Sequence, residues 1–303
     1  MSAITSARRA LHAGDRAYAA GSRVAHRSAA ATGALWRRGR HPAPAAVRRD
    51  AHTQLLLVLG VSLGASAISS VTQLIGRLTA PVALSAQVSV LHASQSSQSL
   101  LDLAYQLEGI VFALVPVALG LYLLSRLPVP PGLAGGWTGA CRRIGFDGRR
   151  PAADLALGSA LALAIGVPGL GLYLLAHALG LTTTVDPGNL PANWWAIPVY
   201  LLSAAENATV EEVLVIGVTF VLLRRAGWGA GPILLAAAVL RGSYHLYQGP
   251  SAFWTNALLG LVFGLVYLRT RRVLPLVVAH TLIDAVAFVG YALLATRVGW
   301  LPH

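Results

Sequence analysis

Apolar residues fill both faces of long stretches of this chain, near 54–76, 107–125, 153–179, 193–223, 231–248, 252–268 and 273–295. A hydrocarbon core about 30 Å thick takes about 20 helical residues to cross, which is the scale of these runs. A spanning barrel would instead show short segments in which polar and apolar side chains alternate. The pattern therefore predicts an all-α, polytopic transmembrane bundle of about seven spans. The stretch 80–104, with Ser and Gln crowded between Ser94 and Ser99, is too polar for a span and reads as a loop or interfacial helix. No repeat of 20 to 50 residues and no matched broken helices are visible, so the inverted-repeat architecture of many transporters finds no support.

Composition agrees with lipid as the solvent, since 55% of residues are hydrophobic and only 11% are charged. The net charge is +12, and all 23 basic residues are Arg, which reads as a coding bias rather than a need for guanidinium chemistry at every site. Position carries more information than identity. Ten Arg lie in the first fifty residues, among Ala, Ser and Gly with only Asp15 and Asp50 as acids. That segment has little to bury and is expected to be a disordered or membrane-surface basic arm drawn to anionic lipid, with no nucleic acid partner expected. It lacks the apolar stretch of a cleavable signal, which begins only after residue 52. Further Arg clusters at 126–150, 224–225 and 269–272 all fall on the side of the N-terminus when the spans are counted, while 180–192 holds no Arg. By the positive-inside rule the chain is expected in the cell membrane as a multi-pass protein with a cytoplasmic N-terminus. Three regions follow: a basic arm over 1–50, N-terminal transmembrane helices over 51–192, and a distinct transmembrane core over 193–295. The single Cys141 lies in an Arg-rich polar loop and excludes an internal disulfide or a cysteine metal cluster.

Ionisable residues inside a spanning helix cost several kcal/mol, so each one is a candidate for function. The fourth run carries Glu206, Glu211 and Glu212, the fifth Arg241 and His245, and the seventh His280 and Asp284. Residues four apart share a helix face, which pairs Arg241 with His245 and His280 with Asp284. Adjacent Glu211 and Glu212 differ by about 100° around their helix, so at most one aims squarely at a common centre. Counted at about 1.5 Å per residue from the Arg-rich ends, Glu212, His245 and His280 lie roughly 12 to 22 Å deep and can meet in one cavity. Two chemistries are open. Glu211, His245 and His280 are ordinary ligands for zinc, and a buried Glu beside a His can equally take a proton from water without any metal. The HExxH pattern of soluble zinc proteases is absent. Glu206 beside Asn207 reads as a helix break or an internal hydrogen-bond partner, Arg241 as a counter-charge to the Glu pair, and His92 and His177 as structural.

The order of these clusters, a Glu pair, then a His, then His-x-x-x-Asp, resembles the CAAX-protease and bacteriocin-processing (CPBP) family of intramembrane proteases. Glu211-Glu212-Val-Leu-Val-Ile216 matches its EExxxR motif except that Ile216 stands where Arg is expected. The FxxxH motif is met at His245 with Arg241 in place of Phe, and HxxxN or HxxxD is met by His280 and Asp284. The resemblance covers about 195–290. It implies an endopeptidase in which Glu211 and His245 activate the attacking water, while oxyanion stabilisation falls to His280 and Asp284, which complete the polar cavity beside Glu212. Ionised Asp284 cannot donate to an oxyanion, so it would orient His280 or carry a proton. Substrates would be membrane peptides or lipidated protein tails. Arg241 is a candidate to replace the missing motif Arg as supporting charge. A different class, a noncatalytic membrane scaffold or transporter that uses the same buried charges for binding, is separated from this by whether Glu211 and His245 are needed as those residue types.

Overall fold

The structure, a computed structural model, describes residues 43–129, 134–188, 190, 193–294 and 297–298. Most of the basic arm lies outside the described residues, but helix α1, Ala45–Gly60, already begins inside the stretch read as arm. It is followed by α2, Leu63–Leu78, at a bend of 54°. At that break Ser62 turns its hydroxyl onto the carbonyl of Val58 at 2.6 Å, giving the backbone oxygen a partner that is not the next turn of helix. A short strand β1, Val88–His92, leads to α3, Ser99–Ala113, and α4, Val115–Ser125. After α5, Gly136–Ile144, come α6, Pro151–Ala178, and strand β2, Thr184–Gly188. The remainder comprises α7, Ala196–Glu211, a π-helical segment Glu212–Val218, α8, Thr219–Arg225, α9, Ala230–Ser243, α10, Pro250–Thr270, and α11, Leu274–Leu294.

The all-helical expectation holds, while length and composition confirm fewer spans than the seven expected. Among the described residues four helical stretches are long and apolar enough to cross a membrane, Ser99–Ser125, α6, α10 and α11, and the bent α1–α2 pair makes five if it counts as one. Two of the expected seven do not meet this measure, for different reasons. Helix α9 has 14 residues, about 21 Å at 1.5 Å each, short of a hydrocarbon core. The run through α7 and α8 carries three acids, and its residues 212–220 are buried all round, so protein surrounds it rather than lipid. The expected break at Glu206 is not there either; α7 continues past it, and the irregularity comes at Glu212.

The stretch 80–104 is mixed. Its first part is loop and strand, but α3 starts at Ser99, eight residues before the apolar run seemed to begin. Buried Asp102 makes this possible by accepting bonds from the Ser94 hydroxyl and the Gln95 amide, both at 2.8 Å, while the Gln106 amide reaches the carbonyl of Ala93. The polar groups of this turn are thus satisfied inside the protein.

The core lies along α4, the π segment, α8 and the facing sides of α9, α10 and α11, with Leu214, Ile216, Phe220 and Ile233 fully buried. Outward positions such as Leu163, Val167 and Val286 are exposed and apolar, as a lipid-facing surface requires. This is a membrane protein.

The two ends of the bundle differ. At one end Arg225 pairs with Asp50, and Arg272 pairs with Asp154 and Asp147, which gathers the Arg-bearing segments together. At the other, β1 and β2 pair in parallel, Val88 opposite Thr184 and His92 opposite Gly188. The carbonyl of Gln248 accepts from the Thr182 hydroxyl and the Thr183 amide, both at 2.8 Å, tying the turn between α9 and α10 into this layer. His177 and His92 serve here, His177 within 3.0 Å of the Thr184 hydroxyl and His92 edge-on to Phe288.

Candidate active site

Helices α7, α9 and α11 converge on one buried cluster. Regular helix brings Glu211 to the end of α7, and the wider π turns that follow start at Glu212. A π segment opens the i→i+4 ladder locally and re-aims the residues around it. The Thr219 hydroxyl, donating to the Leu214 carbonyl at 2.8 Å, satisfies one oxygen of the widened stretch. The two adjacent carboxylates thereby serve one centre, which the 100° step of a plain α-helix had argued against. Glu212 is fully buried, whereas the Glu211 side chain keeps 13% of its exposure.

Arg241 of α9 is fully buried and lies between them. Its guanidinium ion-pairs with Glu212 through Nη1 and with Glu211 through Nη2, the latter at 3.2 Å. The same Nη2 is 3.3 Å from His280 Nδ1, which is itself 2.9 Å from Glu212 Oε1. Gly260 makes room for its stem, because a Cβ there would meet Arg241 Cδ and the Ala238 backbone at 3.2 Å. The guanidinium carbon lies 5.4 Å from the centre of the Phe263 ring, which gives the cation an apolar wall with a favourable face.

His245 does not share a helix turn with Arg241, as had been expected. Helix α9 ends at Ser243, and His245 sits in the turn beyond it, held by its amide bond to the Gly242 carbonyl. The turn still aims it inward, with Nε2 3.9 Å from Glu211 Oε1. Asp284 lies one turn along α11 from His280, at 3.5 Å from Nε2. All five residues singled out for chemistry in the sequence, and Arg241 with them, are therefore in one place.

The sequence reading missed Tyr244. Its hydroxyl donates to Glu211 Oε2 at 2.8 Å, and its backbone carbonyl accepts from the buried Ser70 hydroxyl of α2. A tyrosine adjoining a candidate His was the available signal. Gln248 and Tyr247, which bond to one another at 2.8 Å, also belong to this turn.

A metal was the other open chemistry, and the donor set differs by one residue from the expected trio. Glu211, Glu212 and His280, not His245, offer ligand atoms within 4.8 Å of one another. The Arg241 guanidinium ion-pairs with both carboxylates, and its Nη2 lies 3.3 Å from His280 Nδ1. A dication would have to share that space with a fixed positive charge, so the residues present do not fit a metal ion while Arg241 holds this position.

The sealed and open edges of the cluster are distinct. Glu212 and Arg241 are closed off, while the side chains of Glu211, His245 and Asp284 keep 13%, 15% and 19% of their exposure. No curated protein and no solved structure matches the chain. The family resemblance is borne out over the segment that carries the cluster: residues 193–286 match the family described as type II CAAX prenyl endopeptidase Rce1-like.

Proposed function

We propose that this protein is an intramembrane endopeptidase in which Glu211 and His245 activate water against a peptide carbonyl. The observation that carries the reading is the edge they form. Glu211 has one oxygen bound to Tyr244 and Arg241, and turns the other towards His245 at 3.9 Å. A water within hydrogen-bond distance of both groups has a base on one side and an orienting imidazole on the other.

In the reaction Glu211 takes a proton from that water as its oxygen bonds to the carbonyl carbon. The proton then passes to the peptide nitrogen as the C–N bond breaks, leaving a carboxylic acid and an amine. His280 and Asp284 form the remaining polar wall, with Asp284 orienting His280 across their 3.5 Å separation. Arg241 and Glu212 supply the charge balance behind Glu211. Substrates are peptides that reach the site from the bilayer, either membrane-associated segments or lipidated protein tails. The Arg-rich end, with the N-terminus, faces the cytoplasm on the positive-inside rule.

The test is mass spectrometry of new peptide termini in membranes of cells carrying wild type or Glu211→Ala at matched levels. Termini that disappear in the variant establish the protease and identify its substrate. Identical termini in both would overturn this reading in favour of a binding or scaffold role.

A further inference from the structure

The sealed side of the cluster has a property that the protease reading does not require. A fully buried guanidinium reaches three groups, two carboxylates and an imidazole, that lie close enough together to hold a metal ion. The position that corresponds to the family motif's Arg, Ile216, is fully buried among apolar side chains and carries no charge. The cation therefore comes from α9, through a side chain whose stem is accommodated by Gly260 and whose guanidinium carbon lies over the Phe263 ring.

We propose that Arg241 is the positioning cation of this site: it occupies the coordination space of Glu211, Glu212 and His280 and fixes Glu211, and its removal exposes a latent divalent-metal site. The proposal rests on the protease reading for what positioning accomplishes, while the latent metal site stands on geometry alone. Two carboxylates this close repel, and a single buried positive charge between them holds both in place. The planar fork lets one nitrogen serve Glu212 and the other serve Glu211 beside His280, which an ammonium on the same stem does less well. Without the guanidinium, two carboxylates and one imidazole face a vacated position, a donor set suited to Zn2+ with an open coordination site.

The experiment uses the full-length chain in lipid nanodiscs, as wild type, Arg241→Lys, Arg241→Met and the double variant Arg241→Met with Glu212→Met. Each is equilibrated with ZnCl2, freed of loose metal by gel filtration, and measured for bound zinc and for thermal stability with and without zinc. The expected result is about one tightly held Zn2+ per chain in Arg241→Met, none in wild type or the double variant, and a zinc-dependent rise in midpoint only for Arg241→Met. If cleavage is detectable, Arg241→Lys should keep activity within about 10-fold of wild type, and metal-free Arg241→Met should fall by about 100-fold or more. The double variant removes the buried pair together and so avoids a stranded carboxylate at Glu212. Zinc bound equally by wild type, or no zinc bound by folded Arg241→Met, would overturn the latent site. Wild-type activity in the double variant would overturn the positioning role. A failure of Glu211→Ala to alter peptide termini bears on the protease reading and leaves the zinc measurement intact.

Discussion

Two buried arginines organise this protein, and they are held very differently. Arg272 follows α10 and grips Asp154 with two bonds, at 2.7 and 2.6 Å, and Asp147 through its carboxylate at 3.2 Å and its carbonyl at 2.7 Å. Every polar atom of its side chain is used. Arg241 also holds two carboxylates, yet its Nε, Glu212 Oε2 and His245 Nδ1 are buried without a hydrogen-bond partner. A saturated ion cluster is a fastener, whereas one with spare donors and acceptors has capacity to engage a reacting group. The contrast is the physical basis for reading the Arg241 cluster as a site and the Arg272 cluster as structure.

Substitution should separate the two clusters. The largest effect is expected from Glu211→Gln, which keeps shape and removes the base: cleavage should drop by about 1000-fold, with the thermal midpoint little changed. A large loss of stability without a selective loss of cleavage would erase the distinction. Arg272→Met should do the reverse. Stranding Asp154, while Asp147 keeps Arg149, should cost about 3 to 5 kcal/mol, read as a lowered unfolding midpoint, while activity per folded molecule persists. Gly260→Ala, which presses a methyl group against Arg241 Cδ and Ala238, should cost about 1 to 3 kcal/mol and lower activity more than an equal destabilisation elsewhere. Tyr244→Phe removes one bond to Glu211 and should reduce cleavage about 5- to 10-fold, consistent with the loss of one charge-assisted hydrogen bond.

The smallest effect concerns pH at the structural cluster. Burial pushes the Asp147 carboxyl up, but the bonds from Arg149 and the charge of Arg272 outweigh it and hold the carboxyl below its ordinary value of 3.8. A carboxyl depressed on folding adds stability that is complete above its unfolded value and is lost as pH falls through the folded one. Asp147→Asn should therefore narrow the difference in midpoint between pH 6 and roughly pH 3 relative to wild type, as the ordinary Asp range implies.

Much of this was legible in the chain because lipid punishes charge so heavily. Glu211, Glu212, His245, His280, Asp284 and Arg241 stood out as ionisable residues in apolar runs, and the structure brings them together. What was not legible depended on partners distant in sequence. The early start of α3 needs Ser94 and Gln95 to satisfy Asp102. The parallel pairing of Val88 with Thr184 joins two five-residue strands from separate loops, too short to give a periodic signal. Helix α9 ends at Ser243, five residues before the predicted run does, so the run 231–248 overstated its length. Cys141, assigned to a loop, belongs to the short helix α5.

The π segment makes residue number matter as much as residue identity. Turns of i→i+5 accommodate a residue that an α-helix of the same length would not, and here they join α7 to α8 through fully buried side chains. Losing one residue between Val213 and Val218 would let the stretch tighten to plain α-helix, with α8 keeping its phase against α7 but the wide turns beside Glu211 and Glu212 closed. A single-codon deletion in this stretch should consequently be harsher for activity than substitutions at the same positions, because it closes the wide turns that bring Glu211 and Glu212 to one centre instead of altering one side chain.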